Sequence, residues 1–310
     1  MFDKLFSITP FGTALSLLAL CALPVVADDS VATSTPENIQ NIIYPAPESP
    51  TDRRFDDLVE FLQMALERTV KEYGPYKLMP STFVMNETRY IMEIKNNTGK
   101  INVIWSSTSP DKEKDLQAIR ISLRKDLLGY RIALINAGKQ ADIDKIKTLD
   151  DLKNLKIGQG RGWGDNAVYR ENGISVSEHN YKDLFRMVTE KYIDLFPRGI
   201  TEVFDEYELN HSELSGLSIE QHLVIYYLWP YYFFTSRKDI VLAQRIEKGL
   251  QMMLADGSFE KVFNRHNSQV ILKANLKNRR IIQIKNPFLP KDAPVGSGNI
   301  QPLDAAHNGV

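Results

Sequence analysis

The chain has 310 residues, with 38 Lys and Arg against 39 Asp and Glu and a net charge of −1, so it lacks the basic excess of a nucleic-acid partner. With 43% hydrophobic and 25% charged residues it reads as an ordinary globular protein, long enough for one large domain or two of ~100–150 residues. Its single cysteine, Cys21, excludes a disulfide scaffold and a cysteine-ligated metal. The five histidines, His179, His211, His222, His266 and His307, show no close metal spacing, and no metal or cofactor is expected.

At the N-terminus, Lys4 precedes an apolar stretch over 11–26 that ends in Val25-Val26-Ala27, with small residues at −3 and −1 of a cut before Asp28. This is the pattern of an export signal over 1–27, which places the mature chain in the periplasm. Two alternatives are an uncleaved anchor, for which the run is short of the ~20 residues of a membrane span, and a lipoprotein at Cys21, which Leu20 disfavours because it is not small. Residues 28–38 read as a flexible leader rich in Ser, Thr, Asp and Pro.

Ile42-Ile43-Tyr44 is a short strand stopped by Pro45 and Pro47. An amphipathic helix follows, with apolar residues at Phe55, Leu58, Val59, Leu62, Leu66 and Val70. Strands are expected over Tyr76 to Val84, over Ile101 to Trp105, opening into Ser106-Ser107-Thr108-Ser109-Pro110, and over Tyr130 to Ile135. A helix starts at Thr148, a strand covers Lys156 to Gln159, and the turn Gly160-Arg161-Gly162-Trp163-Gly164 feeds a helix that ends at Asn172-Gly173. Ile174 to Val176 reads as a strand, and Asn180 caps a helix carrying Tyr181, Leu184, Phe185, Val188, Tyr192 and Leu195. Leu223 to Phe234 is strand-like and holds the Tyr226 to Tyr232 aromatic run; Asp239 opens a helix closed by Asp256-Gly257. Residues 287–310 carry little hydrophobic pattern and read as a disordered tail. Strands alternating with helices in both halves imply a parallel α/β sheet in each, with ligand loops at the carboxyl ends of strands, after Tyr44, Trp105 and Gln159.

Three stretches resemble the type II periplasmic solute-binding proteins, in particular the family-3 group for polar amino acids: INVIWSSTSPDKEK (101–114), TLDDLKNLKIGQGRGWGD (148–165) and SRKDIVLAQRIEKGLQMMLADGSFEKVFNRHN (236–267). The resemblance covers roughly 39–264 and implies two α/β lobes, each a mostly parallel sheet flanked by helices, joined by two hinge crossings. The first lobe would comprise 39–129 plus 231–286, and the second 130–230. It further implies a small polar solute in the inter-lobe cleft, a membrane transporter or sensor as partner, and a monomer without enzymatic activity. On this resemblance Ser106, Ser107 and Ser109 fall on ligand-contacting serines, Lys114 falls where the family has a carboxylate-gripping arginine, and Trp163 and Gly164 fall at the second lobe's carboxylate-facing turn. Lysine lacks the planar fork of arginine, and the 196–208 stretch has no unambiguous counterpart of the family's acid for the amino group.

Read from the residues alone, Trp105 at a strand end either stacks on a ligand or fills the core. Arg161 beside a helix start could add charge to an anion site or lie on the surface. Arg198, Glu202, Glu206 and Glu208 offer charges from the second half. Solute capture thus stands beside two alternatives, a ligand-sensing or interaction protein of the envelope, and a carboxylate-based hydrolase. No Gly-x-Ser-x-Gly elbow or phosphate-binding loop is present to support the last.

Overall fold

The computed structural model describes residues 39–47, 49 and 52–291. The expected signal peptide, the leader and all but the first residues of the expected tail lie outside the described residues. The elements run in chain order β1 (Gln40–Tyr44), α1 (Asp56–Arg68), α2 (Val70–Tyr73), β2 (Tyr76–Pro80), α3 (Glu87–Lys95), β3 (Val103–Ser107), α4 (Pro110–Asp115), β4 (Leu116–Ile119) and β5 (Tyr130–Asn136). They continue with α5 (Gln140–Ile143), α6 (Leu149–Lys153), β6 (Ile157–Gly160), α7 (Asp165–Glu171), β7 (Val176–His179), α8 (Tyr181–Thr189), β8 (Phe196–Gly199) and α9 (Val203–Asn210). The last are β9 (Leu217–Ile219), β10 (Leu223–Tyr226), β11 (Tyr231–Ser236), α10 (Ile240–Ala255), α11 (Ser258–Ala274) and β12 (Arg280–Gln283).

In the first lobe β1 and β2 are parallel, and β11 lies antiparallel between β3 and β4. Asn102 stitches β3 to β1. Its side chain accepts from Ile43 N at 2.7 Å and donates to Asn41 O at 2.7 Å, while its backbone N donates to Ile43 O at 3.0 Å. The lateral order is therefore β2-β1-β3-β11-β4. In the second lobe β7 and β6 are parallel, and a parallel bridge between Ile157 and Leu195 joins β6 to the strand leading into β8. Beyond β8 come antiparallel β5, then β10 and β12, with β9 paired to the far end of β5. Both sheets follow one rule: the lobe's first parallel strand sits between its second and third, and the strand that crosses over lies antiparallel beyond the third. No sequence repeat announces this.

The chain passes between the sheets over 120–129 and 227–230, and again over 275–279. The third passage corrects the expected boundary, because β12 pairs with β10 rather than staying in the first lobe. The physical reason is burial: Ile282 and Ile284 cover the apolar side of β10 and join the cluster of Leu223, Ile225 and Tyr227. The apolar run 223–234 is two strands in different lobes, broken at Pro230, which cannot donate to a ladder. The helix expected through Leu195 stops at Thr189, and Lys191 turns the chain at φ 65° toward β8.

Helices α1, α10 and α11 cover one face of the first sheet. Gly249 permits the closest approach, since a Cβ there would lie 2.1 Å from Ala65 O. Beneath them Arg245 is fully buried, donating to Gln40 Oε1 (2.8 Å), Thr69 Oγ1 (3.3 Å), Gly74 O (2.9 Å) and Leu66 O (3.5 Å). It ties the carboxyl end of α1, at Leu66 and Thr69, to Gln40 at the start of β1 and to Gly74. Among the described residues no helix is long and apolar enough to cross a membrane.

Candidate functional site

A cavity of about 450 Å3 takes its walls from both lobes. Phe55 and Asp57 come from the segment after β1, Arg124 from the 120–129 crossing, Tyr231 from the head of β11, and Thr201 and Glu202 from the segment after β8. His266, Asn267 and Val270 of α11 close one side. The local sequence explains the placement. A loop that follows a strand at its carboxyl end must emerge at the sheet's edge, and α1, beginning there, sets Asp57 in its first turn.

Arg124 is the most constrained charge in the cavity. Its Nε and Nη2 donate to the two Asp57 carboxylate oxygens, each at 2.7 Å, and Nη2 also donates to Arg54 O at 2.7 Å. The guanidinium carbon lies 5.8 Å from the ring centres of both Phe55 and Tyr231. Burial alone would lower this guanidinium's pKa, but the hydrogen bonds and attraction of Asp57 outweigh it and leave the pKa raised. Nη1 has no hydrogen-bond partner among the described residues. Burial pushes the Tyr231 hydroxyl above its ordinary pKa, so it is neutral.

Across the cavity Glu202 is half exposed, its Oε2 accepting from Gly199 N and pairing with Arg198 Nη2, both at 3.1 Å. Arg198 also forks onto Glu206, with Nε to Oε2 at 2.6 Å and Nη2 to Oε1 at 2.7 Å, and its guanidinium lies 4.4 Å from the centre of Trp163. Trp163 folds back over Gly160, where a Cβ would stand 2.1 Å from the indole, and Gly162 at φ 74° makes that reversal possible. Behind it, Arg131 donates to Tyr227 Oη (2.7 Å) and pairs with Asp165 (3.2 Å). Burial opposes its charge and Asp165 overrides that, so its pKa is raised.

The sequence-derived residues are distributed as follows. Trp105 is 2% exposed and packs against Tyr44 at 5.9 Å and Phe55 at 5.5 Å; it lines a neighbouring groove and not the cleft cavity. Ser106 is buried and Ser107 pairs across the ladder with Tyr231, which brings the serine loop beside the cavity. Ser109 caps α4, its side chain accepting from Lys112 N at 3.2 Å. Lys114 is exposed and lies away from the serines; Lys112 is the lysine that turns in. Arg161 is exposed, and only its backbone is engaged, donating to His179 O at 3.0 Å. Trp163 lies under Arg198, and Gly164 starts α7 close to Trp229. None of these eight residues lines the cavity; Ser107 is joined to its wall by pairing with Tyr231, and Trp163 lies under Arg198, which holds the wall residue Glu202. Arg124 and Asp57, which line the cavity, were not singled out, because they lie 67 residues apart and no pattern along the chain links them.

Among the described residues one group, Asp144, Glu220 and His222, has ligand atoms close enough for a metal. Glu220, however, already accepts from His222 N (2.7 Å), Gln140 Nε2 (3.0 Å), Leu223 N and Arg279 Nη1 (3.1 Å). It serves as a hydrogen-bond hub that anchors the turn into β10.

No family model and no curated protein matches the chain. Among solved structures it is similar to ytmK of Bacillus subtilis, described as a probable amino-acid ABC transporter extracellular-binding protein. That match has 13% identity over 73% of this chain and 97% of that one, with a TM-score of 0.52. It is also similar to the YckB protein of Bacillus subtilis, with 16% identity over 79% of this chain and 96% of that one and a TM-score of 0.51. With the two sheets, their shared strand order and the cavity between them, these likenesses establish that the chain has the two-lobed α/β fold of the periplasmic binding proteins.

Proposed function

We propose that the chain is an extracytoplasmic solute-binding protein that holds a small polar solute, an amino acid foremost, between its lobes for a membrane transporter, and that it does not catalyse a reaction on that solute. The observation that carries this reading is the cavity built from both lobes, with the Arg124 cation on one wall and the Glu202 carboxylate on the other. Opposed charges of this kind, beside the Tyr231 phenol and the Thr201 hydroxyl in a mostly polar lining that also includes Arg53 and Arg54, suit a zwitterion. The similarity to ytmK, a probable amino-acid ABC transporter extracellular-binding protein, points the same way, and so does the expected export signal. A thermal-shift screen of amino acids, amines and organic acids tests it, since a ligand at 100 times its Kd adds ~2.7 kcal/mol to the stability. Glu202→Gln is expected to weaken a zwitterion about tenfold with little change in melting temperature, because Glu202 is half exposed.

A second reading, an envelope protein that senses or docks a partner without binding a solute, has one observation in its favour. The arginines that line the cavity hold carboxylates of the chain itself, Asp56 on Arg53, Asp52 on Arg54 and Asp57 on Arg124, and beside the cavity Lys112 holds Glu87. A screen in which no small solute shifts the melting temperature would decide for it.

A further inference from the structure

The serine loop is occupied. Lys112 Nζ donates to Ser106 Oγ at 2.6 Å, to Ser107 O at 3.0 Å and to Glu87 Oε1 at 2.7 Å, with Ser107 Oγ a longer 3.4 Å away. An ammonium has three N–H donors, and the three short contacts use them all. Ser106 Oγ in turn donates to the same Glu87 oxygen. The arrangement is a cradle of one cation and one hydroxyl around one carboxylate oxygen, at the carboxyl end of β3, next to Tyr231 of the cavity wall. Glu87 reaches it from the first turn of α3, which Asn86 caps by accepting from Arg89 N at 2.9 Å. Burial would raise the Glu87 pKa, but attraction and hydrogen bonds from Lys112 and a bond from Ser106 lower it, as expected for a carboxylate gripped in its charged form.

We infer that the Ser106–Lys112 loop is a carboxylate-binding site whose resident is the chain's own Glu87, and that Glu87 determines specificity by denying this site to the carboxylate of a free solute. The chemistry supports occupation over chance contact. The lysine is largely covered, with a side-chain exposure of 20%, so its ammonium has exchanged water for these acceptors. A solute carboxylate must either displace a tethered one or bind elsewhere, and the Arg124 wall of the cavity is elsewhere. The inference does not depend on the transport reading.

Chemical rescue tests it. In Glu87→Ala the cradle keeps Lys112 and Ser106 and loses its occupant, so sodium acetate should raise the melting temperature saturably above that in sodium chloride of equal ionic strength. The wild type should show no such acetate-specific rise, and Glu87→Ala combined with Lys112→Met should show none either. Acetate stabilising the wild type as much as Glu87→Ala would show an open site and overturn the inference. An unresponsive Glu87→Ala would show that the loop does not take carboxylates, and would overturn it equally. If Glu87→Ala does not fold, Lys112→Met in the otherwise native chain decides by calorimetry with whichever amino acid binds the wild type. Unchanged affinity supports a solute carboxylate bound away from this loop, and a tenfold or greater loss places it here and overturns the inference. A wild type that binds no solute beside a Glu87→Ala that binds acetate would sink the transport reading alone.

Discussion

Two arginines of the first lobe and its crossing, Arg245 fully buried and Arg124 largely covered, solve the same problem differently. Arg245, under α1 and α10, has no carboxylate partner; neutral oxygens of Gln40, Thr69, Leu66 and Gly74 surround it. Burial accordingly pulls its pKa below the ordinary value, only partly offset by Tyr76 and Tyr73. Arg124, at the cleft, carries Asp57 as a full counter-charge, and its pKa is raised. The first has an acceptor on every nitrogen and lies fully buried under α1 and α10, so it is a staple for the fold. The second is charge-paired yet keeps Nη1 unengaged at a cavity wall. A buried cation alone therefore says little about function; which acceptors use its donors says more.

The comparison breaks first at Arg245. Replacing it with Met leaves the Gly74 carbonyl and the Gln40 and Thr69 side-chain oxygens without this donor, while Leu66 O keeps Thr69. Each such group costs ~1–3 kcal/mol, so Arg245→Met should lower unfolding stability by about 3 kcal/mol or more in a denaturant titration. Solute affinity measured on the folded fraction should be unchanged. A stable Arg245→Met protein, or one with altered affinity, would refute the division between staple and site.

Asp57→Asn comes next. It removes the counter-charge from a guanidinium whose side chain is 12% exposed, and breaking a buried pair by one partner costs ~3–5 kcal/mol. Because the cavity supplies water to Arg124, about 2 kcal/mol is expected. Unlike Arg245→Met, this change should alter both readouts: denaturant midpoint down, and carboxylate affinity up as the fork comes free. A loss of stability with no change in binding would return Arg124 to the class of Arg245.

A smaller effect belongs to Glu87. Its folded pKa is lowered, so its contribution to stability is present in full above the ordinary Glu range near ~4.3 and is lost as pH falls through the lower folded value. With about half of the side chain in water the contribution is reduced by screening, to below about 1 kcal/mol. Melting temperatures from pH 6 down to about 3 should therefore fall slightly less in Glu87→Gln than in the wild type. A parallel pair of curves would contradict the ion pair.

How much of this the residues disclosed depends on the range of the interaction. The β1, β3 and β5 strands and the amphipathic face of α1 are local patterns, and the structure has them. The strand β8 was invisible because Phe196-Pro197-Arg198-Gly199 has turn-like composition; it is held as a strand by its antiparallel partner β5 and by Arg198 stacking on Trp163. Helices α3 and α4 are short and polar, and their caps at Asn86 and Ser109 were the only local signs. The Arg124–Asp57 pair joins positions 67 residues apart, and no pattern along the chain links them. The serine loop was found because a strand end is a local feature. The resemblance matched spacing, not helix phase, and so pointed to Lys114, whereas Lys112 is the lysine that turns toward the serines.

That last point yields the smallest expected effect. Residues advance by about 100° around a helix, so Lys112 and Lys114 on α4 stand roughly 200° apart, and only one can face the serines. Lys112 does, and Lys114 is exposed at the other side. Arg161 is outward for a related reason: its backbone N–H continues the pairing of β6 with β7 through His179 O, and the side chain is left exposed in the turn. Exposed substitutions away from caps and buried networks change stability by less than about 0.5 kcal/mol. Lys114→Ala and Arg161→Ala, which the resemblance and the helix-start argument would have made damaging, should therefore match the wild type in melting temperature. Their solute affinity should stay within about twofold, below 0.5 kcal/mol, whereas Glu202→Gln loses about tenfold in the same titration. If either variant instead weakens binding tenfold, the solute extends beyond the 450 Å3 cavity toward the mouth of the cleft.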